Sequence, residues 1–508
     1  MSNIYGEQQQ ARVRTTSRDE EVKMKCISMS DANEKSDEFA LSASPSPDKL
    51  NHDDGPETEG RVQNDSNDKW ALLREFLNST TFHGVKYTVN GRTWARLLWC
   101  VLVLVAAGGF LSQAISSITR FASYPTSTSI TYKTPDTLEF PAVTICNFNY
   151  FVNSSVKNDT VRSALQKVTF TEPLQTLTDD DKTILDSAGG WENLTSDAGV
   201  KAEQLIVECY WKVNELLLNC NFENFTKVIT PMGNCFTFTS PQMVVTRGGP
   251  SGGLNVILDI QLFEYLAEGY GIAGAQVLVH EAGEHPDAIF EEGFACLPGT
   301  RTMARIQETR ILNLQPRYGT CENRSLEYHK LYTLSNCFEE CKLKMIIEKC
   351  RCVPLHMKEW YDKDDTSVCT FQDATCVEIY SWLASNTVNN SKCDCPIPCS
   401  QRKFDVQVSQ AAFPAPHLDE IIARKFNVSL NYVRQKNLIW LDVFYSYPQL
   451  TYIEVKQDIA YSYDNLFGDV GGQFGLFLGA SILTFCEFIQ YLIFEAHARR
   501  LCRHQRHQ

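Results

Sequence analysis

The sequence predicts two membrane helices flanking a large disulfide-rich α/β extracellular domain. Three observations carry this. Two long apolar stretches lie near the ends, around 97–119 and 468–494. Fifteen of the 19 cysteines fall between Cys146 and Cys399, the distribution of a disulfide framework formed in an oxidising compartment. N-x-S/T sequons at Asn153, Asn158, Asn193, Asn224, Asn323, Asn389 and Asn427 fall in the same span and its continuation, which places it outside the cell as glycoprotein surface. With 43% hydrophobic and 21% charged residues the chain is globular overall. Its net charge of -14 argues against nucleic-acid binding and suits a surface that concentrates cations.

Residues 1–80 read as a cytosolic tail, mostly disordered, because they are polar and poor in aromatics and cannot bury enough apolar area to fold. With no apolar segment in the first 70 residues, the first membrane helix is expected to serve as the insertion signal. A short pre-membrane segment, 81–95, leads into that helix at 96–119. From Leu97 to Thr119 there are 23 uncharged residues, enough to span a bilayer with some tilt. Lys86, Arg92 and Arg96 precede it, while Arg499, Arg500, Arg503 and Arg506 follow the second stretch, so both termini are expected in the cytosol. The domain between, 120–465, should contain strands at 140–146, 256–260, 275–279 and 438–444, forming a mixed central sheet.

The second apolar stretch, assigned to a transmembrane helix over 466–495, is not an ordinary anchor. Between Asp469 and Glu487 lie 17 uncharged residues, yet Gln473, Ser481, Thr484 and Gln490 are polar at membrane depth. Gly471, Gly475 and Gly479 recur every four residues, a stripe on which another helix can pack closely. Gly479-Ala480-Ser481 is the weakest helical point, where carbonyls could turn toward a pore. A tightly packed helix in a bundle is the competing reading. Residues 496–508 form a C-terminal cytosolic tail.

In the cysteine-dense block, Cys337 and Cys341 lie one helical turn apart and Cys393 and Cys395 two apart in an extended strand, so two parallel bridges could rivet helix to strand. Cys350 and Cys352 can do likewise with Cys369 and Cys376. The spacing does not suit paired zinc knuckles, and no metal or cofactor is predicted. His280-Glu281-Ala282-Gly283-Glu284-His285 imitates a zinc-protease motif, but its histidines are five apart rather than four, and Gly283 and Pro286 indicate a turn. No phosphate-binding loop, nucleophile elbow or dinucleotide fingerprint occurs, so nothing supports an enzyme.

The ordered set of Phe82-His83-Gly84, the strand Phe140-Pro141-Ala142-Val143-Thr144-Ile145-Cys146-Asn147, and Gly468-Asp469-Val470-Gly471-Gly472-Gln473 leading to Gly479-Ala480-Ser481 resembles the degenerin/epithelial sodium channel family, closest to its acid-sensing branch. The resemblance covers roughly residues 80–497. It implies an amiloride-sensitive, sodium-selective channel of the plasma membrane, a homo- or heterotrimer of hand-like α/β ectodomains. The partners are then sodium ions, copies or relatives of the chain, the lipid bilayer and an unidentified extracellular ligand. It implies bridges Cys146–Cys235, Cys209–Cys220, Cys321–Cys399, Cys337–Cys395, Cys341–Cys393, Cys350–Cys376 and Cys352–Cys369. It also implies a filter at Gly479, Ala480 and Ser481, a re-entrant segment at His83 and Gly84, and charge rings at Asp469 and Glu487. Tyr124 and Tyr318 look like the pair that couples ectodomain to membrane helices, although a tryptophan is expected where Tyr318 stands.

The sequence departs from the acid-sensing pattern at its carboxylates. Glu378 and Asp442 match sensing positions, but the expected neighbour of Glu378 is Trp382, the stretch 267–276 is poor in acids, and no histidine lies between the first helix and Phe140. An extracellular peptide or other small ligand is therefore favoured over protons as the stimulus. The competing expectations are a non-conducting accessory subunit or cell-surface receptor, and an ATP-gated purinergic-type channel, which shares the two-helix plan but not the cysteines.

Overall fold

A computed structural model of the chain describes residues 74, 76–168, 177–213, 216–239, 244–266, 271–361, 366–386 and 393–505. The N-terminal tail up to residue 73, the Asn389 sequon and residues 267–270 of the acid-poor stretch lie outside the described residues. Two compact units are present: residues 1–123 with 462–508, and Tyr124–Tyr461. Along the chain run, among others, helices α1 (Val85–Val89), α2 (Thr93–Ala122), α3 (Leu334–Cys350), α4 (Ala374–Asn386), α5 (Tyr463–Leu478) and α6 (Ile482–Gln505), with further helices of up to nine residues between α2 and α5.

In the first unit, α2 is a single 30-residue rod, and its most apolar window has a mean hydropathy of 2.1 with only 6% of it buried. Leu104 and Val105 point outward at 71% and 68% exposure, which only an apolar surrounding makes favourable. The expected second membrane helix is not one helix. Helices α5 and α6 meet at a 75° bend, and only together are they long and apolar enough to cross a membrane. The bend falls where Gly479, at φ 60°, caps α5 in the left-handed conformation, its N–H donating to the Gly475 carbonyl at 2.9 Å. Gly471 of the glycine stripe does not serve close packing within this chain, since a Cβ there would meet nothing within 4 Å. Close approach occurs instead on α2, where a Cβ at Gly109 would lie 2.8 Å from the Phe477 ring.

The second unit is built from β1 (Thr126–Lys133), β2 (Ala142–Asn147), β3 (Ile206–Val213), β4 (Leu216–Cys220), β5 (Phe225–Thr230), β6 (Gly233–Phe238) and β7 (Leu254–Asp259), followed by β8 (Ala275–His280), β9 (Phe294–Cys296), β10 (Thr300–Leu312), β11 (Ser400–Ala412), β12 (Leu438–Tyr445) and β13 (Tyr452–Ile459). The four expected strands exist with boundaries shifted by one or two residues, but they do not share one sheet. The 256–260 and 438–444 strands lie in an eight-stranded mixed sheet of order β1-β13-β10-β12-β7-β3-β4, with β11 on β10. The other two belong to a five-stranded sheet, β9-β8-β2-β6-β5. Strand β10 is parallel to β12 and β13, the remaining pairs being antiparallel. The two sheets share a core: Val143 and Ile145 from β2, Val277 and Val279 from β8, and Leu254, Val256 and Leu258 from β7. Every residue of β2 and of β8 is buried, which explains why both read as continuous apolar runs rather than alternating ones.

Seven disulfides join the pairs implied by the resemblance. Cys337 and Cys341 on α3 bond to Cys395 and Cys393 across Cα separations of 5.9 and 5.8 Å. The partner segment is not the extended strand expected: the Cys395 N–H donates to the Cys393 carbonyl at 3.0 Å, the three-residue turn in which backbone curls on itself. The helix is riveted to a turn. Among the described residues Cys100, Cys296 and Cys486 are free.

Candidate functional site

The bend between α5 and α6 is held by the segment that precedes α1. Thr81, Phe82, His83 and Gly84 run alongside it, and Gly84 reverses the chain at φ 82°, a conformation costly for any residue with a Cβ. A side chain at Gly84 would also press the Trp99 ring at 3.2 Å. The His83 N–H donates to the Leu478 carbonyl at 3.1 Å, satisfying one of the acceptors a helix leaves open at its C-terminus. The His83 imidazole occupies the place a Cβ on Gly479 would take. Glycine is thus required at 479 twice over, by its φ and by its neighbour.

A directed hydrogen-bond chain closes the other side. The Ser481 N–H donates to Thr484 Oγ1 at 3.0 Å, Thr484 and Thr81 hydroxyls are 2.8 Å apart, and Thr81 Oγ1 donates to the Glu487 carboxylate at 3.1 Å. Since the Thr81 hydrogen goes to Glu487, the Thr484 hydroxyl is the donor to Thr81. Phe82 meets Phe474 edge-on with centroids 6.0 Å apart, and Phe76 stacks on Tyr491 at 4.3 Å. Further along α5, Gln473 Nε2 donates to Ser117 Oγ of α2 at 3.1 Å. Thr81, Phe82 and Thr484 line a cleft of about 800 Å³ together with His83, Gly84, Gly479, Ser481 and Glu487.

The structure therefore brings His83, Gly84, Gly479, Ser481 and Glu487 together, with Ala480 buried beside them at 6% exposure. Asp469 is exposed on α5, ten residues before Gly479 and so about 15 Å along the helix. The sequence gives no sign that Thr81, Trp99 and Thr484, the last of which stands out there only as polar at membrane depth, meet at this bend. Single threonines and a tryptophan at a membrane boundary carry no signal until their partners, 403 residues away for Thr81, are known.

In the second unit Tyr124 and Tyr318 form an edge-on pair with centroids 5.2 Å apart, and Arg317 donates to the Tyr124 hydroxyl at 3.3 Å. Tyr124 and Arg317 both have positive φ, 48° and 99°, so the contact is made by backbone held in a sparsely occupied region. Asp442 is fully buried on β12. It accepts from Arg301 Nε at 2.7 Å and Trp440 Nε1 at 2.9 Å. Burial raises its carboxyl above the ordinary range while Arg301 and Trp440 oppose the rise. Glu378 lies on α4, half-buried, and makes no pair with Asp442. His280 and His285 also part: His280 Nε2 bonds to Thr144 Oγ1 at 2.8 Å, whereas His285 pairs with Asp287 at 3.0 Å.

A chain that carries both a helix broken at small residues inside an apolar segment and a disulfide-riveted β-rich domain has the ingredients of a membrane channel. Residues 76–491 match the amiloride-sensitive sodium channel family, and the chain belongs to it. Members of that family are ion channels rather than enzymes. The chain is 29% identical over 454 residues to Acid-sensing ion channel 2 of Mus musculus, covering 83% of this chain and 86% of the relative. It is 30% identical over 465 residues to Acid-sensing ion channel 1 of Gallus gallus, covering 85% of each. Among solved structures, a proton-activated chloride channel aligns at a TM-score of 0.30 and 8% identity over 80% of this chain and 98% of that one, too low to carry any argument.

Proposed function

We propose that the chain is one subunit of an amiloride-sensitive, sodium-selective cation channel of the plasma membrane, opened by an extracellular ligand. Helix α2 crosses the membrane once, the α5–α6 pair crosses back, and both termini lie in the cytosol. Three subunits surround the pore, with α5 of each facing its axis. Gly479, Ala480 and Ser481 form the narrow region, where three turned backbones present carbonyls in place of a small cation's water. Rings of Asp469 and Glu487 concentrate cations on either side of it. Tyr124 and Tyr318 transmit the ectodomain's movement.

One observation carries this reading: the His83 ring sits in the Cβ place of Gly479, so the break in the apolar segment is a locked feature. A membrane anchor has no use for such a break, because exposed backbone groups are tolerated at membrane depth only where they line protein or a water path. The relatives named as acid-sensing make protons the first stimulus to test. What favours a peptide or other small ligand instead is that Asp442 faces Arg301 and Trp440 and makes no pair with Glu378, so these two acids do not form the close carboxylate pair that shares a proton.

Two-electrode voltage clamp of cells expressing the chain tests this. A current evoked by a peptide panel or an acid step, reversing near the sodium potential and blocked by amiloride, is expected. Surface expression with no current under any stimulus, alone or with related subunits, overturns it.

A further inference from the structure

The outer half of α2 exposes two unlike flanks. Its buried residues there are Ala114 and Ser117, and Ser117 takes the hydrogen bond of Gln473 from α5. On one flank Leu111, Ile115 and Ile118 follow one another at spacings of four and three, a single aliphatic row exposed at 56%, 62% and 53%, which suits lipid tails. On the other flank Ser112, Gln113 and Ser116 are exposed as well. Among the described residues no group bonds to the Gln113 amide. Gln113 lies six residues before the end of the uncharged stretch at Thr119, so about 9 Å inside it. An amide left against hydrocarbon is costly, and polar side chains at that depth face other protein or water.

Helix α5 has a bare face to match. A Cβ on Gly468 or on Gly471 would meet nothing within 4 Å, and both residues are exposed. They lie about 100° round the helix from the row of Asp469 and Leu476, so a neighbour can cover the glycines while that row stays open. Two ring contacts fix the level of one helix against the other. Phe121 meets Tyr463 at 4.7 Å and Phe110 meets Phe474 at 5.3 Å, and the two residues on each helix are eleven apart, so the antiparallel register runs without slip. Gln113 is then level with Gly471, and Ser116 with Gly468. Rotation about an axis normal to the membrane leaves these levels unchanged from copy to copy.

We propose that the flank of α2 carrying Ser112, Gln113 and Ser116 docks on the Gly468 and Gly471 face of α5 in a second copy of this chain, the Gln113 amide donating to the backbone bared at Gly471.

This rests on three subunits surrounding the pore and assigns what holds them together within the membrane. The hydrophobic effect gives helices in lipid no reason to associate, so small residues that let backbones approach and polar groups that bond across the gap supply the contact. A helical carbonyl keeps a second lone pair, so Gln113 bonds to it without breaking the α5 ladder. The chain's own α5 already occupies the Ser117 side of α2, and lipid is served by the aliphatic row. The two docking faces differ from each other. A contact between unlike faces is head-to-tail and closes into a ring, whereas a twofold dimer needs one face that matches itself.

Mixed cross-linking of full chains at the cell surface tests the seam. Chains with Gln113→Cys and one tag are co-expressed with chains carrying Gly471→Cys and another tag, the membrane cysteines Cys100 and Cys486 being changed to serine. Mild oxidation is expected to give a reducible band holding both tags, at least about fivefold stronger than Ile115→Cys gives with the same partner, because a disulfide needs closely approaching backbones. No such band, while single-molecule bleaching counts three subunits, overturns the seam and leaves the trimer standing. Bleaching that counts one subunit removes both. If the cysteine chains do not reach the surface, Gln113→Leu is measured instead. The fraction of assembled channel surviving dilution in detergent should fall at least about threefold, the factor one interhelical hydrogen bond contributes. A fraction equal to wild type or higher, as leucine facing lipid would give, overturns the proposal.

Discussion

Helix α2 and the α5–α6 segment are both apolar and both interrupted by glycine, yet one is a continuous rod and the other bends by 75°. The difference lies in what stands beside each glycine. At Gly109 the helical ladder continues and the missing side chain is filled by the Phe477 ring, so the glycine permits close packing. At Gly479 the missing side chain is filled by His83, whose N–H has also taken the Leu478 carbonyl, so the glycine permits a turn. Gly471 does neither within this chain, since nothing lies near it. Glycine spacing alone does not distinguish these three uses, because all three leave the same gap in the helix surface.

Substitution by alanine breaks or sharpens that comparison. Gly479→Ala is expected to have the largest effect, because it meets both the left-handed φ and the His83 ring. Channel current at equal surface expression should fall at least about tenfold or lose its sodium preference, a cost of ~1.4 kcal/mol or more in the conducting arrangement. Current and selectivity equal to wild type would remove the locked break from the account. Gly109→Ala comes next. Overpacking against Phe477 should lower stability by about 1–3 kcal/mol, seen as a reduced melting temperature in detergent, and Phe477→Leu should recover part of it. Gly471→Ala, where a Cβ meets nothing in the chain, serves as the control and should leave the monomer's stability unchanged; a loss confined to the assembled channel would place a neighbouring subunit there. The smallest effect is expected for Thr81→Val, which removes one hydroxyl from the chain through Thr484 and Glu487. It should cost about 0.5–1.5 kcal/mol, and combining it with Thr484→Val should cost less than the sum of the two, as a double-mutant cycle would show.

How far the sequence could be read depended on the range of the interaction. The α2 span, the turn at Gly283 and Pro286, and the strand at 438–444 are encoded by neighbours in the chain, and each is found within a few residues of its expected place. The two sheets were merged into one expectation because β2 and β12 have the same apolar composition, and only pairing shows that they belong to different sheets. The Cys393–Cys395 turn was read as a strand because alternation over three residues does not separate extended backbone from a tight turn. Asp442 stands out in the sequence by its position alone, whereas its ion pair with Arg301, 141 residues away in sequence, is visible only in the fold.

By itself the sequence determined the apolar spans, the oxidised compartment of the cysteines and the weak point at Gly479-Ala480-Ser481, since hydropathy, thiol content and local helix propensity are properties of short stretches. Tertiary structure alone decided that the weak point becomes a bend. A glycine makes left-handed backbone affordable, but the arrangement persists because His83, nearly four hundred residues earlier, fills the space and takes the carbonyl that a continuous helix would have needed.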